Sequence, residues 1–141
     1  MSDTTKFETY YAALLTYLRT NLVGAGKPFT DLRTDYFAAE NIPSPPIMGV
    51  WLSDWYRDNN QWIFEIMIPL ITVATADVNI AAIALSAQVV KQLDAFGVSG
   101  LCNGTQEQPR WDQWVSATNN GQYQAVGAMG TLKVRFDDPL I

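Results

Sequence analysis

The 141-residue chain has no histidine and a single cysteine, Cys102. The side chain that titrates nearest neutral pH, and the commonest nitrogen ligand for metals, is therefore missing. One cysteine cannot close a disulfide within the chain, so folding in a reducing compartment is expected. Charge is also scarce. Asp, Glu, Lys and Arg make up 16% of the residues, against about 25% in an ordinary soluble domain. The nine Lys and Arg are scattered and the net charge is −5. Such a chain offers no basic patch for neutralising phosphates, which argues against nucleic-acid binding as a primary role. Long apolar runs are absent too. The longest, Trp62 to Ala76, is broken by Glu65, Pro69 and two threonines, short of the roughly 20 residues a membrane helix needs. The polar start, Met1 to Thr5, carries no signal-peptide pattern.

What is present is apolar and aromatic: 48% hydrophobic residues and five tryptophans. A low-charge surface rich in aromatics suits contact with other subunits, because interface cores are depleted in charge and enriched in aromatics and Met. The length predicts a single domain over residues 1–141.

Lys6 to Val23 reads as an amphipathic helix, with Phe7, Tyr10, Tyr11, Leu14, Leu18 and Leu22 on one stripe. Thr5 with Glu8 fits a capping box and Gly24 a stop. Gly24 to Pro46, rich in Gly and Pro, reads as a long loop available as an interaction arm, with one helical turn over Asp35 to Glu40. Ile47 to Arg57 and Gln61 to Val73 read as a hairpin turned by Asp58-Asn59-Asn60. In it, Trp51 and Trp55 share one strand face, and Trp62, Phe64, Ile66 and Ile68 share a face of the other strand. Pro69 marks a bulge, an edge or a strand end. Asp77 to Phe96 reads as a second helix capped by Asp77, and Gly97 to Pro109 as a loop. Arg110 to Ala117 and Tyr123 to Phe136 form a second hairpin, with Asn-Gly in its turn. Gly127 and Gly130 mark a bulge or kink. The expected fold is α+β: a mainly antiparallel four-stranded twisted sheet with both helices packed on one face.

Chemistry has few places to sit. Asp54 with Asp58, and Asp137 with Asp138, are the paired carboxylates, and their turn and strand-end positions favour solvated side chains over a convergent catalytic set. A small hydrolase built on them is the enzyme alternative. Gly24-Ala25-Gly26-Lys27 lacks the length, the following Ser or Thr and the strand-to-helix setting of a phosphate loop. Asn103-Gly104-Thr105 matches a glycosylation acceptor only by chance. Cys102 has no histidine to activate it. No acidic loop has calcium-ligand spacing. No catalytic residue, cofactor or metal is expected.

The tryptophans carry the positive reading. Trp51 and Trp55 oppose Val50 and Leu52 across their strand, and Trp111 and Trp114 lie on opposite faces of theirs. A small two-layer domain cannot cover both faces of a strand, so some of these side chains are expected at an interface. The candidate interface residues are Phe29, Leu32, Arg33, Tyr36, Phe37, Trp51, Trp55, Trp111, Trp114 and Tyr123.

The order of parts resembles the tail terminator proteins of long-tailed bacteriophages, also called tail completion or neck proteins. The resemblance runs from the helix Lys6 to Val23, through Ile42-Pro43 and Pro46-Ile47 into Val50-Trp51-Leu52. It continues through the strand Gln61 to Leu70 and the helix Ile80 to Phe96. It ends at Gly121-Gln122-Tyr123 and Gly130-Thr131-Leu132-Lys133-Val134-Arg135-Phe136. It covers nearly the whole chain, as order and spacing rather than as one diagnostic motif. The long Gly97 to Pro109 loop and the tryptophan count depart from the family.

The resemblance implies a structural virion protein of the tail or neck, assembled in the bacterial host cytoplasm. It implies a homo-oligomeric ring, a hexamer, that caps the tail tube protein and joins a head connector or head-completion protein. DNA would pass its lumen without specific binding, and no membrane would be involved. The alternatives are another neck or tail component, such as a head-tail joining or minor tail protein, and a non-enzymatic α+β binding module for a peptide or glycan.

Overall fold

The computed structural model describes residues 5–34, 46–73, 78–117 and 124–141. The first helix, α1 (Thr5–Leu22), buries Phe7, Tyr10, Leu14, Leu18 and Leu22, the stripe at helical spacing. Glu8 in its first turn and Arg19 in its last both complement the helix dipole. Gly24 follows with φ 127°, a conformation that favours glycine. The chain then doubles back: the Phe29 N–H donates to the Leu22 carbonyl at 3.0 Å and the Gly24 N–H to the Phe29 carbonyl at 3.1 Å.

The sheet is mixed and has seven strands, which corrects the expected four-stranded antiparallel sheet. The strands are β1 (Asp31–Arg33), β2 (Ile47–Gly49), β3 (Trp51–Asp58), β4 (Gln61–Val73), β5 (Thr105–Gln106), β6 (Arg110–Ala117) and β7 (Gln124–Asp137). The second helix, α2 (Val78–Val98), lies between β4 and β5. The neighbour order is β1-β2-β4-β7-β5, with β3 also on β4 and β6 also on β7.

Three physical causes separate this sheet from the expected one. First, the supposed loop from Gly24 to Pro46 contains β1, which pairs in parallel with β2. Only Leu32 of its three residues is buried, too short a pattern for alternation to reveal. Second, the strand expected over Ile47 to Arg57 is interrupted at Val50. Met48 opposes Leu70 and Trp51 opposes Met67, so the register continues across the break. By that register Pro69 of β4 stands opposite Gly49, the residue before the break, and has no N–H to offer it. The Val50 N–H donates to the Arg33 carbonyl on β1, at 2.8 Å, which carries the β1–β2 ladder one residue past β2. Third, the supposed loop from Gly97 to Pro109 contains β5, which pairs with Val134 and Arg135.

Both helices bury into one core cluster against a single face of the sheet. Leu14, Leu18, Val89, Leu93 and Phe96 meet Phe64, Ile66, Ile68, Leu132 and Val134 there. Each fully buried aliphatic side chain of this set contributes about 1.5–3 kcal/mol. Replacing one, for example Leu18→Ala, would cost about 2–5 kcal/mol. Among the described residues no helix covers the opposite face, yet Ile47, Ile63 and Ile71 are buried there.

Gly127 and Gly130 sit in register with β4, with no shift in the pairing from Gln61–Asp137 to Val73–Ala125. They mark close approach and not a bulge. A Cβ on Gly127 would fall 1.6 Å from the Leu70 carbonyl oxygen, and one on Gly130 would fall 2.5 Å from the Trp111 ring. Gly49 plays the same part under the Trp51 ring, where a Cβ would be 2.4 Å away. The expected helical turn over Asp35 to Glu40, the Asp77 cap and the Asn-Gly turn lie outside the described residues.

Candidate docking surface

The β3–β4 hairpin turns through Asn59 and Asn60, both at positive φ (50° and 65°). That is the two-residue turn whose twist matches the flanking strands, and Asn tolerates its left-handed conformation. Asp58 opposes Gln61 at the closing pair. In this hairpin class the closing pair exchanges hydrogen bonds, and alternate pairs up the ladder do not. Trp55, opposite Phe64, belongs to a non-bonded pair, so its backbone groups point to the open edge. There the Trp55 N–H donates to the Asp54 carboxylate at 2.9 Å.

A bulge corrects the facing of the tryptophans. Leu52 opposes Ile66 while Asp54 opposes Glu65, so Ser53 is an extra residue in β3. Its hydroxyl donates to the Glu65 carbonyl at 3.0 Å. One extra residue reverses the alternation. Trp51 therefore faces away from the helices, beside Gly49, whereas Trp55 faces the helix side opposite Phe64. The two do not share a face.

Past the bulge, every residue from Ser53 to Asn60 is exposed. Trp55 is 59% exposed. It walls an open groove of about 700 Å³, with Phe7, Leu52 and Phe64 as floor and Trp62 and Pro139 to Ile141 as the other walls. The volume falls within the range of about 300–1,000 Å³ seen for ligand sites. Phe7 and Phe64 stack at 4.2 Å between ring centroids, with planes 10° apart.

The two ends of the chain build this groove together. The Lys6 N–H donates to the Leu140 carbonyl at 2.9 Å, and Lys6 Nζ to the Asp137 carbonyl at 3.2 Å. Leu140 is buried in the main core. Asp138 accepts from the Trp62 indole N–H at 2.7 Å and pairs with Arg57 at 2.5 Å. The Gln61 amide donates to Asp137 at 2.9 Å. Of the two carboxylate pairs read from sequence, Asp137 and Asp138 thus hold hairpin and tail together, and Asp54 and Asp58 lie exposed on β3.

The remaining candidate residues fall in several places. Phe29 and Leu32 are buried inside the chain's own core. Arg33 is half-buried and paired with Asp31 at 3.3 Å. Trp111 is half-buried on the helix face, with its indole N–H enclosed and unpartnered. Trp114 is placed by its backbone opposite Gly127. Tyr36, Phe37 and Tyr123 lie outside the described residues. Among the described candidates only Trp55 lines the groove. Of the residues that complete it, Phe7 and Trp62 are read from periodicity as core and Asp138 as a turn or strand-end carboxylate, while Leu140 carries no sequence signal.

On the helix-free face, Glu65, Glu107, Arg110, Asp112 and Lys133 line a polar groove of about 440 Å³. Arg135 pairs with Glu107 there at 3.5 Å. It carries charges of both signs. Among the described residues two groups have shifted titration. Burial, and then the charge of Cys102, pushes the Tyr10 phenol far above its ordinary range. Burial raises that of Tyr11 against a lowering pull from Arg19. Both phenols serve the fold: Tyr10 donates to Gln106 Oε1 at 2.6 Å and Tyr11 to the Val50 carbonyl at 2.7 Å.

Among the described residues no group of three or more His, Cys, Asp or Glu could hold a metal ion. Among the same residues no helix is long and apolar enough to cross a membrane. No protein-family model matches the chain, and no curated protein matches it.

Proposed function

We propose that this chain is a structural subunit that works by assembly: it joins copies of itself into a ring that caps a phage tail tube, in the manner of a tail terminator. The observation that carries the assembly reading is the exposed β3 edge, Ser53 to Asn60, beside the aromatic groove walled by Trp55. An unpaired edge presents backbone donors and acceptors that a partner strand can use. A large apolar side chain held at 59% exposure gains from being covered. The tail tube is proposed as the partner because the order of elements read from the sequence resembles the tail terminators. The mechanism needs no turnover. A ring built from head-to-tail contacts closes when the rotation per subunit suits its symmetry, and its two ends then present different surfaces.

The second reading is a monomeric binding module that uses the same groove for an extended peptide, and the groove's size favours it. Sedimentation velocity separates the two. The ring reading expects a particle several times the 15.7 kDa of one chain, alone or on adding tail tubes. A chain that stays monomeric at high concentration and does not co-sediment with tubes would support the module.

A further inference from the structure

The sheet has two open edges. β3 pairs only with β4, and β6 only with β7, among the described residues. Each is eight residues long. The β2 end of the first edge is covered by β1, and no other described strand lies along the β3 part. All three contacts from β3 through β4 and β7 to β6 are antiparallel. β3 and β6 therefore run in opposite directions. A second copy placed beside the first in the same orientation brings its β3 antiparallel to the first copy's β6, and the alternation of the sheet continues.

We infer that the β6 edge of one copy pairs with the β3 edge of the next, with Asp58 opposite Arg110. This rests on the ring reading above and names the strands that make its contact. Pleat and charge select the register. Trp55 opposes Phe64 and so faces the helices, while Trp111 opposes Gly130, which opposes Ile68 on the helix side. Matching helix face to helix face restricts the register to steps of two residues. With Asp58 opposite Arg110, Tyr56 opposes Asp112 and Arg57 opposes the Trp111 position. Sliding by two residues one way sets Asp58 against Asp112. Sliding the other way sets Asp54 against Asp112. Each slide places like charges directly opposite, which destabilises a strand pair. Two copies of β3 pairing about Tyr56 would set Asp54 against Asp58, and about Arg57 would set that residue against itself.

The side chains are available for this contact. Arg110 and Asp112 are 84% and 63% exposed, bonded only weakly to each other at 4.0 Å. The Asp54 carboxylate, which covers the Trp55 N–H at 2.9 Å, occupies the place a partner carbonyl would take. It protects the edge of a free subunit and leaves when a strand arrives. The added strand also lies along the groove wall and covers Trp55.

The test uses the full-length chain with Cys102→Ser. Asp58→Cys and Arg110→Cys are made separately, mixed, and oxidised under mild conditions, with sedimentation velocity on the same samples. Opposed strand residues bring Cα atoms within about 4.5–5.5 Å, inside disulfide reach. A covalent dimer in the mixture, and in neither variant alone, is the expected result. The chain carrying both substitutions should give a ladder that stops at the ring number. Asp58→Arg should weaken assembly by about 3- to 10-fold, and adding Arg110→Asp should restore it. A particle that assembles while the mixed variants do not cross-link and the charge swap does not rescue overturns the strand pairing and leaves the ring intact. Homodimers of Asp58→Cys alone also overturn it, in favour of β3 self-pairing. No particle under any condition, tubes included, overturns the ring reading and the pairing together.

Discussion

Tyr10 in α1 donates a 2.6 Å hydrogen bond to Oε1 of Gln106 in β5, and the Gln106 amide donates onward to the Leu93 carbonyl of α2 at 3.0 Å. One glutamine side chain thereby fixes both helices to the end of the sheet. Tyr10 is fully buried, so its hydroxyl has no water to fall back on. Tyr10→Phe leaves the Gln106 oxygen short of a partner and should lower stability by about 1–2 kcal/mol. Gln106→Leu should cost a similar amount, and the double variant less than the sum, because both remove one interaction. Urea unfolding of the three variants measures this, and strict additivity would count against the link.

The same buried phenol sets a pH limit. Burial raises the folded pKa of Tyr10, and also that of Tyr11, above the unfolded value, which lies near 10. A raised pKa contributes stability that is fully present below the unfolded value. Above about pH 10 the unfolded chain releases protons that the folded chain keeps, and stability falls as pH rises. Unfolding midpoints should therefore drop steeply above about pH 10, and the drop should be shallower in Tyr10→Phe.

Gly127→Ala should be severe. A Cβ there meets the Leu70 carbonyl oxygen at 1.6 Å, and backbone in the middle of two long paired strands cannot step aside. A loss of about 3 kcal/mol or more is expected. At Gly130 the obstacle is the Trp111 ring, a side chain that can move, so Gly130→Ala should cost about 1–3 kcal/mol. Thermal melts that rank the two the other way would contradict the close-approach account.

Trp55→Ala should separate stability from assembly. The side chain is 59% exposed and stands at the groove's edge. Its removal should change folding stability by no more than about 1 kcal/mol and reduce the assembled fraction strongly. Trp62→Phe provides the comparison, because it deletes the indole bond to Asp138 while keeping an aromatic ring in the groove. It should loosen the hairpin and tail more than Trp55→Ala does.

Long periodic segments are legible in the amino-acid sequence alone. The stripe from Phe7 to Leu22 places α1 within one residue at each end, and the alternation from Trp62 to Ile68 places β4 and its core face. β1 and β5 are not legible, because three- and two-residue strands bury too little to leave a pattern. Those strands and the breaks beside them make a mixed seven-stranded sheet out of an expected four-stranded one. The bulge at Ser53 has no sequence signature either, yet it sends Trp51 and Trp55 to opposite faces. Of the groove, Trp55 is visible as a surplus aromatic. Its other walls come from chain segments as far apart as Phe7 and Ile141, which only the closed fold brings together.

Negative-stain imaging of the purified chain, with and without growing tail tubes, tests the central claim most directly. The account predicts ring-shaped particles of uniform diameter, the same density seated on one end of each tube, and tubes that stop lengthening once it is bound. Tubes that grow to unchanged length with bare ends, beside a chain that remains a single 15.7 kDa subunit, would contradict it.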